Sequence, residues 1–199
     1  MGIVVCNIGT SLDGYLAGPN QTLETPMGEG VDGLHRWQFE QRERNADEVA
    51  RQVSSGAFIM GRNMFGPDRG DWDLDWTGWW GEEPPYHAPV FVLSHRPRES
   101  LVMQGGTTFH FVTDGIHSAL EQAKAAAGDA DVAIAGGAST VNQYLNAGLI
   151  DEIRISVAPI VIGSGARLFD GVAGLKLEPI YAVGNELVTH LRYRVLPAG

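Results

Sequence analysis

Three segments of the chain place phosphate-binding groups directly after a short apolar run: 57–64, 89–96 and 131–140. The first two continue into arginine, which binds a phosphate through two parallel N–H groups. The third ends in a glycine pair, and a backbone without Cβ atoms lets a ligand approach closely. Taken singly, a charged residue after a strand is explained by contact with solvent. Three such ends together favour a site for a polyphosphorylated nucleotide, because ligands of open α/β sheets bind beyond the carboxyl ends of the strands.

The third segment contains "AIAGGASTVNQYL", which predicts a strand, a glycine turn and the start of a helix. Ser139 or Thr140 would be a suitable N-cap for that helix. The free N–H groups and the positive end of a helix dipole suit a pyrophosphate. An ordinary strand-to-helix turn explains the same residues equally well, so this segment alone leaves both interpretations open.

A second glycine motif, Gly163-Ser164-Gly165, begins like the fingerprint of a dinucleotide-binding fold. Leu168 stands where that fingerprint needs its third glycine, and Asp170-Gly171 follows too soon to leave room for a crossover helix. A plain loop is therefore predicted here.

The elements that must position these residues alternate between strands and helices. Apolar runs predict strands at 3–9, 57–61, 89–94, 108–113, 131–137 and 151–163. Helical patterns cover 33–53 and 116–127 and begin again at Ser139. The closing segments 175–183 and 186–195 alternate as antiparallel strands do. We therefore predict an α/β fold, a single domain over 1–199, whose mostly parallel central sheet has an antiparallel C-terminal edge and flanking helices.

Composition excludes several classes of partner. The 199 residues include 14 basic and 24 acidic ones, giving a net charge of −10, so nucleic acid and anionic membranes are not expected to bind. No apolar run approaches the ~20 residues of a membrane span, and no signal-peptide pattern opens the chain. A cytoplasmic protein is expected. The only cysteine, Cys6, lies in an apolar run and is expected to be a buried thiol. No metal site is expected, because the histidines lack ligand spacing.

An aromatic segment interrupts the alternation of strands and helices. Residues 66–88 contain Trp72, Trp76, Trp79, Trp80 and Tyr86 among glycine, proline and aspartate. A loop of this length and character is usually functional or part of an interface. It would suit a wall that stacks on a flat heteroaromatic substrate, and it would suit a homodimer interface equally well.

At this point the motifs resemble a known family. "SLDGYLAG", "FIMGRNMF", "PVFVLSHRP" and "AIAGGASTVNQYLNAGLIDEIRISVAPIVIGSGARLF" occur in the order seen in the dihydrofolate reductase-like superfamily. The chain looks most like the RibD C-terminal-domain-like reductases, which include the reductase of riboflavin biosynthesis. The resemblance covers nearly the whole chain, and 134–169 is its most specific part.

The resemblance implies that NADPH is the cofactor and assigns residues to it. The helix near the cofactor phosphates would be opened by Gly61, Arg62, Asn63 and Met64. The 2′-phosphate end of the adenosine would be held by Ser94, His95 and Arg96. The pyrophosphate would be wrapped by Gly136, Gly137, Ala138, Ser139 and Thr140. NADP is favoured over NAD because two arginines and a histidine suit a dianion, and these motifs lack an acidic residue for the ribose.

The substrate side departs from the family pattern. By resemblance, residues 9–18 lie over the nicotinamide, and Asp13 is the candidate catalytic carboxylate. A proton donor at neutral pH would need burial to raise its pKa. Asp32 and Trp37 are candidate substrate-binding residues, although Asp32 could equally be a helix N-cap. Tyr15 stands where the riboflavin-pathway reductases have a lysine, so no specific substrate is inferred.

The resulting expectation is an NADPH-dependent reductase of a small flat heterocycle, pterin-like or pyrimidine-like. A homodimer is one possible assembly. One alternative is a nucleotide-binding module without catalytic activity. Another is a structural or partner-binding α/β protein, which the tryptophan-rich segment would support.

Overall fold

A computed structural model describes residues 2–66 and 70–197. Its strands are β1 Val4–Ser11, β2 Tyr15–Ala17, β3 Ala57–Gly61, β4 Pro89–Leu93, β5 Leu101–Val102, β6 Thr108–Val112, β7 Val132–Gly136, β8 Glu152–Ala158, β9 Ala166–Arg167, β10 Lys176–Gly184 and β11 Thr189–Leu196. Its α-helices are α1 Arg36–Glu40, α2 Ala46–Arg51, α3 Arg62–Phe65, α4 Gly115–Ala127 and α5 Ala138–Asn146.

Nine of the strands form one sheet in the order β10-β11-β8-β1-β7-β3-β4-β6-β5. The six strands from β8 to β6 run parallel, whereas β10 and β11 at one edge and β5 at the other are antiparallel. The short strands β2 and β9 pair separately. The predicted α/β single domain, with a mostly parallel sheet and an antiparallel C-terminal edge, is confirmed.

Apolar residues cover both faces of the central strands. Val4 and Cys6 of β1 pack with α4 and α5, while Val5 between them joins a second core on the opposite face with Phe58 and Met60. Two-sided burial explains why the central strands read as unbroken apolar runs. Burial raises the pKa of the Cys6 thiol to about 12, so this cysteine is protonated at neutral pH.

Two predicted elements differ from the structure. The helix expected over 33–53 is divided into α1 and α2, because the Asn45 side chain donates to the Gln41 carbonyl at 2.8 Å between them. Phe39, in α1, is 77% exposed. The strand expected over 151–163 ends at Ala158, because Pro159 has no amide hydrogen to continue the ladder.

The tryptophan-rich segment packs onto the sheet of its own chain. Trp80 stacks on Phe109 with ring centroids 5.8 Å apart, and Trp72 lies 5.0 Å from the Phe111 ring. Trp76 donates from its indole nitrogen to the Phe65 carbonyl at 2.9 Å. The aromatic residues therefore form part of the second core, over β4 and β6. The sequence did not suggest this explanation for them. Among residues 2–66 and 70–197, no helix is both long and apolar enough to cross a membrane.

Candidate functional site

The two strands at the centre of the sheet stop pairing before they end. β1 and β7 pair from Val4–Val132 to Cys6–Ile134, whereas β1 continues with β8 as far as Ser11–Ala158. The carboxyl-terminal halves of β1 and β7 are therefore not paired with each other. We call this gap the central crevice. A crevice at the carboxyl ends of parallel strands is the usual ligand site of open α/β sheets.

The glycine pair lies on the β7 side of the central crevice. Gly136 has φ 129° and joins Gly137 through a cis peptide bond. A Cβ built at Gly136 would lie 3.4 Å from the Met64 sulfur and 3.5 Å from Ile8 Cδ1, so these two side chains border the glycine. A Cβ built at Gly137 would meet no atom of the described chain within 4 Å. Gly137 therefore faces open space.

Helix α5 begins directly after this pair. Its N-cap is Gly137, not Ser139 or Thr140, so the predicted capping residues lie within the first turn instead. No side chain of the described chain caps the helix. The first N–H groups of α5 and the open space at Gly137 are what a pyrophosphate requires, so the residues present fit one.

Gly61 lets the end of β3 approach α5. A Cβ at this position would lie 2.4 Å from the Thr140 hydroxyl oxygen, which is too close for any other residue without a shift. The one-turn helix α3 begins with the next residue, as expected for the 61–64 segment. Its Asn63 is exposed and its Met64 is half-buried.

The sheet order brings the three predicted phosphate segments together. β7, β3 and β4 are neighbours, and Gly61 pairs with Leu93, so Arg62 and Ser94 follow adjacent strand ends. The Ser94 hydroxyl accepts from the Arg96 amide at 3.1 Å, and His95 is exposed. Binding of a cofactor by these residues stays a prediction, but their common location is a feature of the fold.

A third arginine of this region was missed by the sequence reasoning. Arg98 donates to the Leu74 and Trp76 carbonyls at 3.1 and 2.7 Å, and its guanidinium lies 5.1 Å from the Phe111 ring centroid. Burial lowers the pKa of Arg98 from its ordinary value. Its signal was the "RPR" sequence after β4, in which Pro97 separates it from Arg96.

Asp13 joins two loops at the carboxyl edge of the sheet. Its carboxylate accepts from the Ser11 hydroxyl at 2.6 Å and from the amides of Ile162 and Gly163 at 3.1 and 2.7 Å. The Ser11 hydrogen bond, together with those amides, lowers the pKa of Asp13 to about 2. This direction is opposite to the one that a proton donor requires. The catalytic role of Asp13 stays a prediction, and the structure adds a positioning role.

The two candidate substrate-binding residues are separated by their exposure. Asp32 is exposed, and the N-cap of α1 is His35, so Asp32 is not the cap. Trp37 is fully buried, with its ring centroid 4.8 Å from that of His190 in an edge-on contact. Substrate binding by either residue stays a prediction, and in this structure Trp37 belongs to the core.

His35 is a further residue that the sequence reasoning did not place here. Its Cε1 lies 3.1 Å from where a Cβ of Gly9 would be, on the carboxyl-terminal half of β1. Its Nδ1 is 3.5 Å from the side-chain nitrogen Nε2 of Gln38, and burial lowers the pKa of His35. At neutral pH His35 is therefore a neutral imidazole beside the β1 wall of the central crevice. Its place at the site follows from its contact with Gly9, and no local sequence pattern reveals that contact.

Polar side chains connect the sheet to the α1–α2 segment. The Ser156 hydroxyl is 2.9 Å from His190 Nδ1, and His190 Nε2 is 3.0 Å from the Asn45 side-chain oxygen. All three residues are buried. Asn45 and His190 also line a cleft of about 440 Å³ between α2 and the β10–β11 hairpin.

Comparison with known proteins agrees with this architecture. The family model of the RibD C-terminal domain matches residues 3–189. An uncharacterized Bacillus subtilis protein, YyaP, is 23% identical over 176 residues, covering 83% of this chain and 79% of that protein.

Two solved structures are similar over almost the whole chain. A structure described as a putative riboflavin biosynthesis protein of Shewanella sp. PV-4 has a TM-score of 0.67 and 25% identity, covering 98% of this chain and 99% of that one. A Thermotoga maritima structure, named as a diaminohydroxyphosphoribosylaminopyrimidine deaminase and 5-amino-6-(5-phosphoribosylamino)uracil reductase, has a TM-score of 0.59 and 13% identity. It shares the fold, and this chain covers 57% of its length. The chain therefore belongs to the RibD C-terminal domain family and has its dihydrofolate reductase-like fold.

Proposed function

We propose that this protein is an NADPH-dependent reductase of a small flat heterocycle, of the pyrimidine or pterin class. The observation that carries the proposal is the central crevice, whose β7 wall ends in the open Gly137 and the uncapped α5. Membership of a family of reductases supports a nicotinamide cofactor. The Thermotoga relative, named as a reductase of a substituted uracil, supports a pyrimidine-type substrate.

The cofactor would lie along the carboxyl edge of β7, β3 and β4. Gly137 and the first turn of α5 would bind the pyrophosphate, and Arg62 with 94–96 would bind the adenosine phosphate. Residues 9–18 would lie over the nicotinamide. When bound, the dihydronicotinamide supplies the hydride, and the protein supplies orientation and excludes water. A homodimer and a cytoplasmic location are further expectations of this proposal.

Thermal unfolding with and without NADPH tests cofactor binding. Nucleotide at 100 times its dissociation constant should add about 2.7 kcal/mol to the free energy of unfolding. An absence of any shift at millimolar NADPH would contradict the proposal.

The variant Gly137→Val locates the pyrophosphate. Gly137 has φ −69° and ψ −169°, which valine adopts readily, and its Cβ would project into open space. We expect a small decrease in the melting temperature without nucleotide, because valine is a poorer N-cap than glycine, and loss of the NADPH-dependent shift. A retained shift would place the cofactor elsewhere.

A nucleotide-binding protein without catalysis is the second candidate, which the Asp13 geometry favours. Both oxygens of that carboxylate already accept hydrogen bonds from the protein. Oxidation of NADPH in the presence of dihydropterins, pyrimidinones and quinones separates the two candidates. Turnover with any of them supports the reductase, and binding of NADPH without turnover by the whole panel supports the second candidate.

A further inference from the structure

One acidic residue engages both arginines of the predicted adenosine-phosphate site. The Asp71 carboxylate forms an ion pair with the Arg96 guanidinium, and the Asp71 backbone carbonyl accepts from Arg62 Nη2 at 3.3 Å. Because Arg62 and Arg96 follow adjacent strands, residue 71 lies across the two strand ends. An internal negative charge thus occupies the position that the phosphate would take.

Trp72 fixes the backbone of this residue while leaving its carboxylate accessible. The Arg62 guanidinium lies 3.8 Å from the Trp72 ring centroid, and the Trp72 indole nitrogen donates to the Arg96 carbonyl at 3.1 Å. The Asp71 side chain is 90% exposed, and in the described part of the chain its carboxylate contacts Arg96 alone. The carboxylate can therefore leave Arg96 by side-chain rotation, without disturbing the Trp72 contacts.

We propose that Asp71 is an internal competitor for the 2′-phosphate site and thereby sets how strongly the protein selects 2′-phosphorylated nucleotides. This inference rests on the proposed function, because it assumes that the adenosine end of the cofactor lies at Arg62 and Arg96. A phosphate group binds arginine through two hydrogen bonds and carries more charge than a carboxylate, so it displaces Asp71 from Arg96. The displaced Asp71 carboxylate remains near the bound phosphate, and repulsion between the two negative charges weakens phosphate binding.

The opposite role for an acidic residue at this position is recognition of an unmodified ribose. In dinucleotide-binding folds, an acidic side chain accepts from the 2′-hydroxyl of NAD. The two roles predict opposite effects of removing the charge, because a competitor weakens binding and a ribose ligand strengthens it.

Calorimetric titration of Asp71→Asn with 2′,5′-ADP and with 5′-ADP distinguishes these roles. An exposed ion pair contributes little, so we expect about two- to fivefold tighter binding of 2′,5′-ADP at low salt and unchanged binding of 5′-ADP. The gain should decrease as salt screens the charges. Asp75→Asn is the matched control, because it removes the same charge from an exposed residue of the same segment, which has no ion pair with Arg62 or Arg96 among the described contacts.

Equal gains in the two variants would assign the effect to net charge and overturn the inference. Weaker binding of 5′-ADP by Asp71→Asn would assign Asp71 to the ribose and overturn it as well. If the wild-type protein shows no NADPH-dependent stabilisation and binds neither nucleotide, the proposed function fails and the inference fails with it. If the wild-type protein binds NADPH but Asp71→Asn leaves the affinity for 2′,5′-ADP unchanged, the inference fails and the proposed function stands.

Discussion

The two sides of the central crevice are held together by different kinds of contact. On the β3–β4–β6 side, aromatic rings support cations, as where Arg98 lies against Phe65, Trp72 and Phe111. On the β1–β8–β11 side, hydrogen bonds connect the sheet to the α1–α2 segment. The first side presents charge in a fixed place, as the proposed binding of cofactor phosphates requires. The second side uses directional polar contacts, which fix the position of the α1–α2 segment on the sheet.

The polar side includes a buried ion pair as well as the Ser156–His190–Asn45 connection. Glu152 accepts from Arg192 at 2.6 and 2.8 Å and from Arg154 at 2.5 Å, and it is 6% exposed. Burial alone would raise the pKa of Glu152, but the hydrogen bonds from these arginines bring it below its ordinary value. Removing one partner of such a buried pair leaves the other charge uncompensated, so this side should be sensitive to single changes.

Removal of Trp37, a large buried side chain on the polar side, should have the largest effect. Trp37→Ala should lower the free energy of unfolding by about 3–5 kcal/mol, because a fully buried indole is replaced by a cavity. Trp37→Phe should lose less, since it also removes an indole N–H without a described hydrogen-bond partner. Urea denaturation measures both.

A matched tryptophan on the other side sharpens this result. Trp79 is half-buried and makes a ring contact with Trp76, so Trp79→Ala should lose much less than Trp37→Ala. Equal losses at the two positions would contradict the difference in burial between Trp37 and Trp79.

The next effect should come from His190. His190→Leu should cost about 1–3 kcal/mol in urea denaturation at pH 7, because Ser156 and Asn45 lose a buried hydrogen-bond partner. The double variant with Ser156→Ala should recover part of that loss by removing one of the two unpaired groups. Full stability in His190→Leu would show that the polar layer does not depend on this residue.

The same histidine predicts how stability depends on pH. Burial lowers the pKa of His190 below its ordinary 6.5, so below that pH the unfolded chain binds more protons than the folded one. The free energy of unfolding should therefore decrease as the pH falls from 7 towards 5, and His190→Leu should decrease less steeply. His35 and His110, whose pKa values burial also lowers, contribute to the slope that remains. An equal slope in the variant would contradict the assignment.

On the aromatic side, Arg98→Met should cost about 0.5–2 kcal/mol in thermal unfolding. The loss reflects cation–π contacts and two hydrogen bonds to backbone carbonyls. Arg36→Met is the control, since Arg36 forms an exposed pair with Glu40 four residues on and should give no measurable change. A result of equal size in the two variants would remove the structural role of Arg98.

Asp13→Asn should have the smallest effect of these substitutions at neutral pH, because the amide oxygen still accepts from one of the two loop amides, although its NH2 group cannot accept from the other. Since the pKa of Asp13 is lowered to about 2, its stabilising contribution is present above the ordinary value of 3.8 and is lost as the pH falls through 2. The difference between wild type and variant should thus shrink from pH 5 to pH 2. Loss of NADPH turnover with retained NADPH binding would instead support the catalytic role of Asp13.

Local patterns account for what could be predicted from the sequence. The strand over 57–61 and the helix over 116–127 follow from apolar runs and periodicity, and the structure places them within one residue. The phosphate segments were recognisable because each places a phosphate-binding donor directly after a strand. The donor is an arginine in two segments and the first N–H groups of a helix in the third. The neighbouring positions of β7, β3 and β4 depend on sheet order, which no local pattern contains.

The polar side was not predictable for a related reason. Its contacts join Asn45 to His190 and Asn7 to the Arg51 carbonyl, pairs that are distant in sequence and made of common residues. Asn45 also interrupts the helical pattern of 33–53, and an asparagine within such a pattern is only a weak signal of a helix boundary. Arg98 was passed over because its role depends on the aromatic rings around it, not on its neighbours in sequence.

The position of β1 has a consequence for synthesis. Among the described strands, β1 pairs with β7 and β8, whose residues are added more than a hundred positions later. At 5–20 residues per second, the ribosome leaves this apolar strand without partners for on the order of ten seconds. During that time "IVVCNI" is an exposed, uncharged segment that a chaperone could protect from association with other chains. Of the strands described, the one made first is therefore among the last to be paired.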